Sequence, residues 1–467
     1  MNLRPYAEYR DSELPWVGKI PAHWQVLRNG GLFAHRVETG YPDLPILEVS
    51  LRTGVTIRDF GNTKRKQVMS QREKYKRARQ GDIAYNMMRM WQGAVGVSPV
   101  DGLVSPAYVV VRPYAGTDTS YFNCLFGTQA YKAEVNKYSR GIVADRNRLY
   151  WDDFKQMSSI VPSLDEQSKI AAFLRSQDRQ IAKLIRGKRR LIELLNEQKQ
   201  TIIHRAVTRG LNPDVPLKPS GVDWLGDVPV HWEIRRLRHL IKGRLTYGAN
   251  AAAEFDNPDW PRYIRITDFR SDGLLKLDTF RSLPPDSASD YLVEPGDILF
   301  ARSGATVGKA FLVSDETGVA CHAGYLIRAR PDSLLVTPLF LFAFTQSRAF
   351  VAWKNSTFNI TTIQNIGADK YANLYVPLPP LKEQLVILGF IGAEQQPLNT
   401  AIRRTEREIV LIREYRDRLI SDVVTGQIDV RGWQPEPDDE SDTESLTVLS
   451  EADENAESLD DEEVSDV

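Results

Sequence analysis

The chain states the same motifs twice, in the same order. Trp16-Val17-Gly18-Lys19-Ile20-Pro21-Ala22-His23-Trp24 returns as Trp224-Leu225-Gly226-Asp227-Val228-Pro229-Val230-His231-Trp232, a shift of 208. Gly81-Asp82-Ile83 returns as Gly296-Asp297-Ile298, a shift of 215, and Pro162-Ser163-Leu164-Asp165-Glu166-Gln167 as Pro379-Pro380-Leu381-Lys382-Glu383-Gln384, a shift of 217. A drift this small places only a few loop insertions between the copies. A period this long is no solenoid repeat. The chain is a duplicated domain, and two similar halves can hold a partner at two places.

Length and composition allow two to four domains, each able to bury a core. Hydrophobic residues at 42% and charged residues at 26% are ordinary for a soluble globular protein. No apolar run is long enough to span a bilayer, and Met1-Asn2-Leu3-Arg4-Pro5-Tyr6 lacks a signal-peptide core, so a cytoplasmic protein without membrane association is expected. Cys124 and Cys321 occupy non-equivalent places in the two copies and read as two reduced, buried thiols. The net charge of −1 conceals a division: residues 434–467 hold fifteen Asp or Glu and no Lys or Arg. Without them the body has 46 acidic and 60 basic side chains, a balance of +14. Such a body favours a polyanionic partner, because phosphate contacts release condensed counterions. A soluble basic protein without such a partner is the plainer alternative.

Residues 1–160 mix short apolar runs (Ile46 to Val49, Tyr108 to Val111) with turn signals at Gly81-Asp82, Pro99 and Asp101-Gly102, the texture of a small mixed domain. Residues 211–375 repeat it, with strands expected at Tyr263 to Ile266, Ile298 to Ala301 and Tyr325 to Ala329. Segments 161–210 and 376–430 differ in texture. In the first, Leu174, Ile181, Leu184, Leu191, Leu195 and Ile202 follow a seven-residue repeat, Lys188 and Gln198 fill two seam places, and Ile185 and Ile192 widen the stripe. Leu398, Ala401, Ile402, Ile409, Ile412, Tyr415 and Leu419 form the matching stripe in the second. This spacing predicts two long helices paired antiparallel, each ending at a Gly after Thr208 or Thr425. Two separate amphipathic helices, each packed on its own domain, are the alternative. Residues 431–467 read as a disordered acidic tail.

Catalytic motifs fail one by one. Gly304-Ala305-Thr306-Val307-Gly308-Lys309 is one residue short of a phosphate loop, and Ala310 replaces the hydroxyl that would hold magnesium. No dinucleotide fingerprint follows a strand, and neither His-x-x-x-His nor Cys-x-x-Cys occurs. His23 and His231 recur inside the Trp motif and are read as turn-pinning residues. Binding motifs are more informative. After each Gly-Asp-Ile strand come polar or basic residues and a Gly-rich turn: Asn86 and Arg89 in the first copy, Arg302, Ser303 and Lys309 in the second. Arg on a rigid strand end can pair with guanine or phosphate; it can equally close a buried salt bridge. Arg146, Asn147 and Arg148 before the first helix face Thr361, Gln364 and Asn365 in the second copy, as expected of two readers of different bases. Lys64, Arg65 and Lys66 open a basic stretch running through Arg72, Lys74, Lys76, Arg77 and Arg79 that the second copy lacks, a candidate phosphate-contacting face.

These motifs, in order and twice, resemble the specificity subunits of type I restriction–modification systems over about residues 10–430. The carriers are the Trp-x-Gly-x-x-Pro-x-His-Trp segments at 16–24 and 224–232, Gly-Asp-Ile-Leu at 296–299 with Gly304 and Gly308, and Pro-Leu-Pro-Pro-Leu-x-Glu-Gln at 377–384. The first copy departs at Ala84, where the second has Leu299, and at Ser163-Leu164-Asp165. The resemblance implies an α+β chain with two tandem target-recognition domains, held apart by an antiparallel coiled coil. Each domain would read half of an asymmetric, interrupted sequence in double-stranded DNA. Separate methyltransferase subunits would carry S-adenosylmethionine, and separate restriction subunits would use ATP and magnesium. This chain would hold no catalytic site, cofactor or metal. The competing readings are a coiled-coil scaffold that binds only proteins and a DNA-modifying enzyme whose active site the sequence does not reveal.

Overall fold

The computed structural model describes residues 4–435 except 52, 59–71, 141–146, 271–272, 274, 277, 305 and 358–364. The basic triplet Lys64, Arg65, Lys66 and the expected contacts Arg146, Thr361 and Gln364 lie outside the described residues, as does the acidic segment from 436 onward. The chain divides into two compact units, residues 1–188 with 407–467 and residues 189–406. Each unit therefore contains one copy of the repeat and a part of both long helices.

The first unit is built on a four-stranded antiparallel sheet in the order Phe33–Arg36, Tyr108–Pro113, Ile83–Asn86, Val95–Val97. In the second unit, Thr246–Tyr247, Leu326–Ala329, Ile298–Ala301 and Ala310–Leu312 repeat that order. The strands beginning at Ile83 and Ile298 are central and wholly buried, which explains their unbroken apolar text. Two short helices cover one face of each sheet, Thr119–Phe126 with Gln129–Tyr138 and Pro338–Thr345 with Arg348–Thr357, and their aromatic residues dominate the main cores. The copies diverge on the other face. The first unit carries antiparallel hairpins at Leu47–Ser50/Gly54–Ile57 and Lys76–Ala78/Gly102–Val104. The second carries a three-stranded sheet in which Arg262–Ile264 pairs parallel with Ala320–His322. Cys124 and Cys321 are free thiols, and burial pushes them up to about 12 and about 11 respectively. Among the described residues no helix is long and apolar enough to cross a membrane.

The motifs that recur far apart in sequence meet in space. The Trp24 indole N–H donates to Glu166 Oε1 at 3.1 Å, His23 Nε2 lies 3.0 Å from Glu166 Oε2, and the Tyr6 hydroxyl donates to Oε1 at 2.6 Å. The second unit repeats this with Trp232 to Glu383 at 3.1 Å and His231 beside Glu383 at 2.8 Å. The neighbouring Gln is equally conserved between copies in its work. Gln167 Nε2 donates to the Pro162 carbonyl, and its Oε1 accepts from the Asp118 amide at 2.8 Å. Gln384 Nε2 donates to Pro379, and its Oε1 accepts from the Thr337 amide at 2.8 Å. Asp118 and Thr337 are themselves N-caps of the first covering helices. The Trp and Glu-Gln motifs thus form one joint that fixes the start of a long helix onto its domain, and the recurring histidines serve that joint.

The long helices run Leu164–Arg209 and Leu381–Val424. Both stop at left-handed glycines, Gly210 (φ +72°) and Gly426 (φ +76°). Gly426 also lies so near Pro21 that an added Cβ would come within 2.4 Å of the proline Cδ. In the first unit Arg416 grips Asp178 at 2.8 and 3.2 Å, and Lys188 pairs with Glu408 at 2.6 Å. As one residue number rises the other falls, so the pairing is antiparallel. Ile170, Phe173 and Leu174 share a core with Leu419, Val423 and Val424. In the second unit Ile203, Ala206 and Val207 share one with Ile387 and Ile391. The seam itself differs from the sequence expectation. Its covered positions are Leu174, Asp178, Ile181, Ile185, Lys188, Ile192, Leu195, Lys199, Ile202 and Ala206, while Leu184, Leu191 and Gln198 are exposed, as is Tyr415 on the second helix. A three-four spacing admits two phases. Asp178 and Lys188 hold seam places here because each meets an opposite charge, which a hydrophobicity stripe reads as surface. Pro397 lies inside the second helix at an exposed position, where its missing N–H faces outward.

Candidate nucleic-acid interface

In each unit the central strand ends in a junction that ties three segments together. Beyond Ala301, the Arg302 amide donates to the Tyr325 carbonyl at 3.0 Å, and the Arg302 carbonyl accepts from Ile366 at 2.8 Å. Beyond Asn86, the Met87 amide donates to Ala107 at 3.4 Å, and the Met87 carbonyl accepts from Leu149 at 2.9 Å. These bonds fix the equivalences Arg302 with Met87 and Asn365 with Arg148. The cationic side chain therefore stands on the strand in the second copy and on the returning segment in the first. The same scaffold offers different chemistry at matched places.

Among the described residues no carboxylate pairs with Arg302. Its guanidinium lies over the rings of Tyr247 and Tyr325, 5.1 and 5.8 Å from their centroids, and its buried Nε has no hydrogen-bond partner among those residues. The salt-bridge alternative is thereby removed for this residue. Tyr247 is fixed in turn, its hydroxyl accepting from the Ala368 amide at 3.0 Å. Tyr247 and Tyr325 are 44% and 57% exposed, so the cation stands at the surface with two aromatic walls. Ser303 bridges to Asn365 through the backbone, and Asn365 and Lys309 are exposed. Lys309 leaves the turn after Gly308, and the space above Gly308 is filled by the Lys354 side chain.

In the first copy Arg148 exchanges backbone hydrogen bonds with Arg140, 3.0 and 2.9 Å, and both side chains are exposed; that of Arg140 pairs with Asp153. Asn147 donates to Asn136 at 3.1 Å. Arg89 is exposed at the start of a short 3-10 turn, Met90–Gln92. Asn86 is a correction in role: it is buried, and its Oδ1 accepts from the Met88 amide at 2.9 Å, so it shapes the turn. The described part of the basic stretch is also less available than its sequence implies. Arg77 pairs with Asp101 and Glu38, Arg79 with Glu38, Arg72 donates to the Leu44 carbonyl, and Lys76 donates to Tyr108 at 2.7 Å. Burial lowers the Lys76 pKa from its usual value. Their partners come from distant sequence, so counting local charge left them out.

The Asp of each Gly-Asp-Ile motif is structural. Asp297 accepts from Arg330 at 2.8 and 2.9 Å and from the Glu294 amide, and Asp82 accepts from Arg36 at 2.6 Å and from the Arg79 amide. The second copy carries a further basic group. Arg235-Arg236-Leu237-Arg238-His239, followed by Lys242 and Arg244, stands where the first copy reads Leu27-Arg28-Asn29-Gly30-Gly31. Arg235, Arg236, Arg238 and His239 line an open hollow with Tyr375. Among the described residues no cluster of His, Cys, Asp and Glu is arranged to hold a metal ion.

Residues 229–405 match the family described as the type I restriction modification DNA specificity domain. The chain is 23% identical over 296 residues to the type I restriction enzyme MjaVIII specificity subunit of Methanocaldococcus jannaschii, covering 60% of this chain and 64% of that one. It is 23% identical over 277 residues to the EcoBI specificity subunit of Escherichia coli, covering 56% and 58%. These alignments thus span less than two thirds of each relative. A solved chain from work on complex assembly and conformational transition of the type I R-M system superposes with a TM-score of 0.60 at 16% identity, covering 87% of this chain and 98% of that one, which is a likeness of fold. With the matched domain lying on the second copy and the same joint rebuilt around the first, the chain is similar to the specificity subunits of type I restriction–modification systems.

Proposed function

We propose that this chain is the non-catalytic DNA-recognition subunit of a cytoplasmic type I restriction–modification complex. Each copy reads one half of a bipartite, asymmetric target in double-stranded DNA. The two long helices act as an antiparallel coiled coil that sets the separation of the half-sites. Methylation with S-adenosylmethionine and ATP- and magnesium-dependent restriction belong to partner subunits. The observation that carries this reading is the strand-end junction: one backbone arrangement presents Met87 and Arg148 in one copy and Arg302 and Asn365 in the other. A symmetric dimer reads symmetric half-sites because its readers are identical. Readers on one chain are free to diverge, as these have. The +14 body supplies the sequence-independent attraction.

Replacing residues 1–160 by the same segment of a relative tests the division of labour. Methylation mapping in host cells should show one half of the target altered and the other retained; a change in both halves, or in neither, overturns the reading. Within the second copy, Arg302→Ala should relax discrimination at a single base pair by about 1–3 kcal/mol. Binding of the assembled complex to a panel of single-base variants checks this, and equal weakening on every sequence would make Arg302 a phosphate contact instead.

A further inference from the structure

We propose that Arg236 and Arg238 of the second unit form a phosphodiester-binding site that anchors the DNA backbone beside Arg302, an inference that rests on the DNA-recognition reading above. Both guanidinium groups converge on one neutral oxygen: Arg236 Nη1 and Arg238 Nη1 each donate to Asn373 Oδ1 at 3.2 Å. Asn373 is oriented for this by its own Nδ2, which donates to the Asp369 carbonyl at 2.8 Å. Arg236 is further held by the Tyr375 hydroxyl at 2.9 and 3.2 Å, with its guanidinium 5.2 Å from the ring centroid. Arg238 Nε donates to His239 Nε2 at 3.2 Å.

No carboxylate pairs with either group among the described residues; the nearby Glu233 is engaged by Arg235 at 2.7 Å. Two cations held together on one amide repel each other, and an anion between them removes that cost while accepting charge-assisted hydrogen bonds. The hollow that they line with Arg235, His239 and Tyr375 is open and about 470 Å³, which admits a phosphate on a strand. The first copy cannot make this site. Gly30 stands where Arg238 does, and a Cβ there would come within 3.2 Å of Lys155.

Position decides the kind of anion. The short helix Ala368–Ala372 has Tyr247, a wall of the Arg302 site, bonded at its first residue, and Asn373 caps its other end. Five helical residues rise about 7.5 Å. A strand whose base meets Arg302 passes a phosphate about every 3.4 Å of duplex axis, so a backbone group two or three nucleotides away reaches the Arg pair. A polyanionic backbone fits this better than an isolated acidic side chain of another protein.

The test uses the full chain assembled with its methyltransferase subunits. The probes are a duplex bearing the sequence methylated in the host and a scrambled duplex, titrated across salt concentrations. Arg238→Gln, at an exposed position, leaves the fold intact, and Arg236→Gln is combined with it. The double variant should bind both duplexes about tenfold more weakly, from the loss of charged hydrogen bonds. It should reduce the salt slope by about 0.9, one phosphate's share, and leave the methylated sequence unchanged. DNA binding and slope equal to wild type overturn the site, whether or not assembly with the methyltransferase subunit weakens; weakened assembly would mark the patch as a protein interface. Failure of the wild-type complex to bind DNA with salt dependence would instead overturn the recognition reading itself.

Discussion

Glu166→Ala is expected to destabilise the first unit by about 2–5 kcal/mol, and Glu383→Ala the second by about 1–3 kcal/mol, because each buried donor left without its acceptor costs about 1–3 kcal/mol. Glu166 is 3% exposed and accepts from two buried donors, the Trp24 indole and the Tyr6 hydroxyl. Tyr6 has no means of escape by ionisation, since burial and the Glu166 carboxylate push its pKa well above the usual phenol range. The phenol remains a donor at every working pH. In the second unit the Glu383 side chain is 30% exposed, and among the described residues its hydrogen-bond partners are Trp232 and His231. Water can replace part of what is lost there. Hydrogen exchange separates the two effects within one chain. Protection at Ser158–Val161 should fall further in Glu166→Ala than protection at Tyr375–Leu378 falls in Glu383→Ala. Equal losses would show that Tyr6 contributes nothing to the joint.

Asp297→Ala should cost about 3 kcal/mol, toward the low end for breaking a buried ion pair. The carboxylate is 1% exposed, closes two bonds with Arg330 and caps the turn at the Glu294 amide. Arg330 is partly exposed and keeps Glu294 as a partner, which limits the penalty. Combining Asp297→Ala with Arg330→Met should cost less than the sum of the single changes, by about 1–2 kcal/mol, since the double variant leaves no cation stranded. Urea unfolding of the four proteins measures that coupling, and a value near zero would assign the whole effect to the turn. The strand that follows Asp297 ends beside Arg302, so the damage should extend to reading of the second half-site proposed above.

Much of the protein was legible as repetition. The duplication, the two long helices and their glycine stops follow from motifs whose residue types have few structural uses: a Gly with positive φ, a buried Ile run, a Glu-Gln pair opening a helix. The copies also verify each other, since Gln167 and Gln384 perform the same bonds to different neighbours. The candidate site was less legible. Arg302 and Arg148 were recognisable as polar residues near a strand end and a returning loop, and the Gly-Asp-Ile alignment sets Met87 at Arg302. The backbone bonds to Tyr325 and Ile366 agree with that equivalence, while the aromatic walls around Arg302 come from segments that no motif marks.

The sequence by itself determined the duplication, the helical rods, the absence of familiar catalytic motifs and a basic body behind an acidic end. Those properties are local or summed over residues, and hydrophobic periodicity and charge counting capture both. The tertiary structure decided which charges are free. Arg77 and Arg79, in a conspicuous basic run, are neutralised by Glu38 and Asp101 from other segments, whereas among the described residues Arg302 and the Arg236–Arg238 pair meet aromatic rings, neutral oxygens and the His239 ring nitrogen. It also decided the phase of the helix seam, because Asp178 and Lys188 are covered only by virtue of Arg416 and Glu408 on the other helix. A charge is made a surface group, a seam residue or a binding group by its partner across space, and that partner has no fixed distance along the chain.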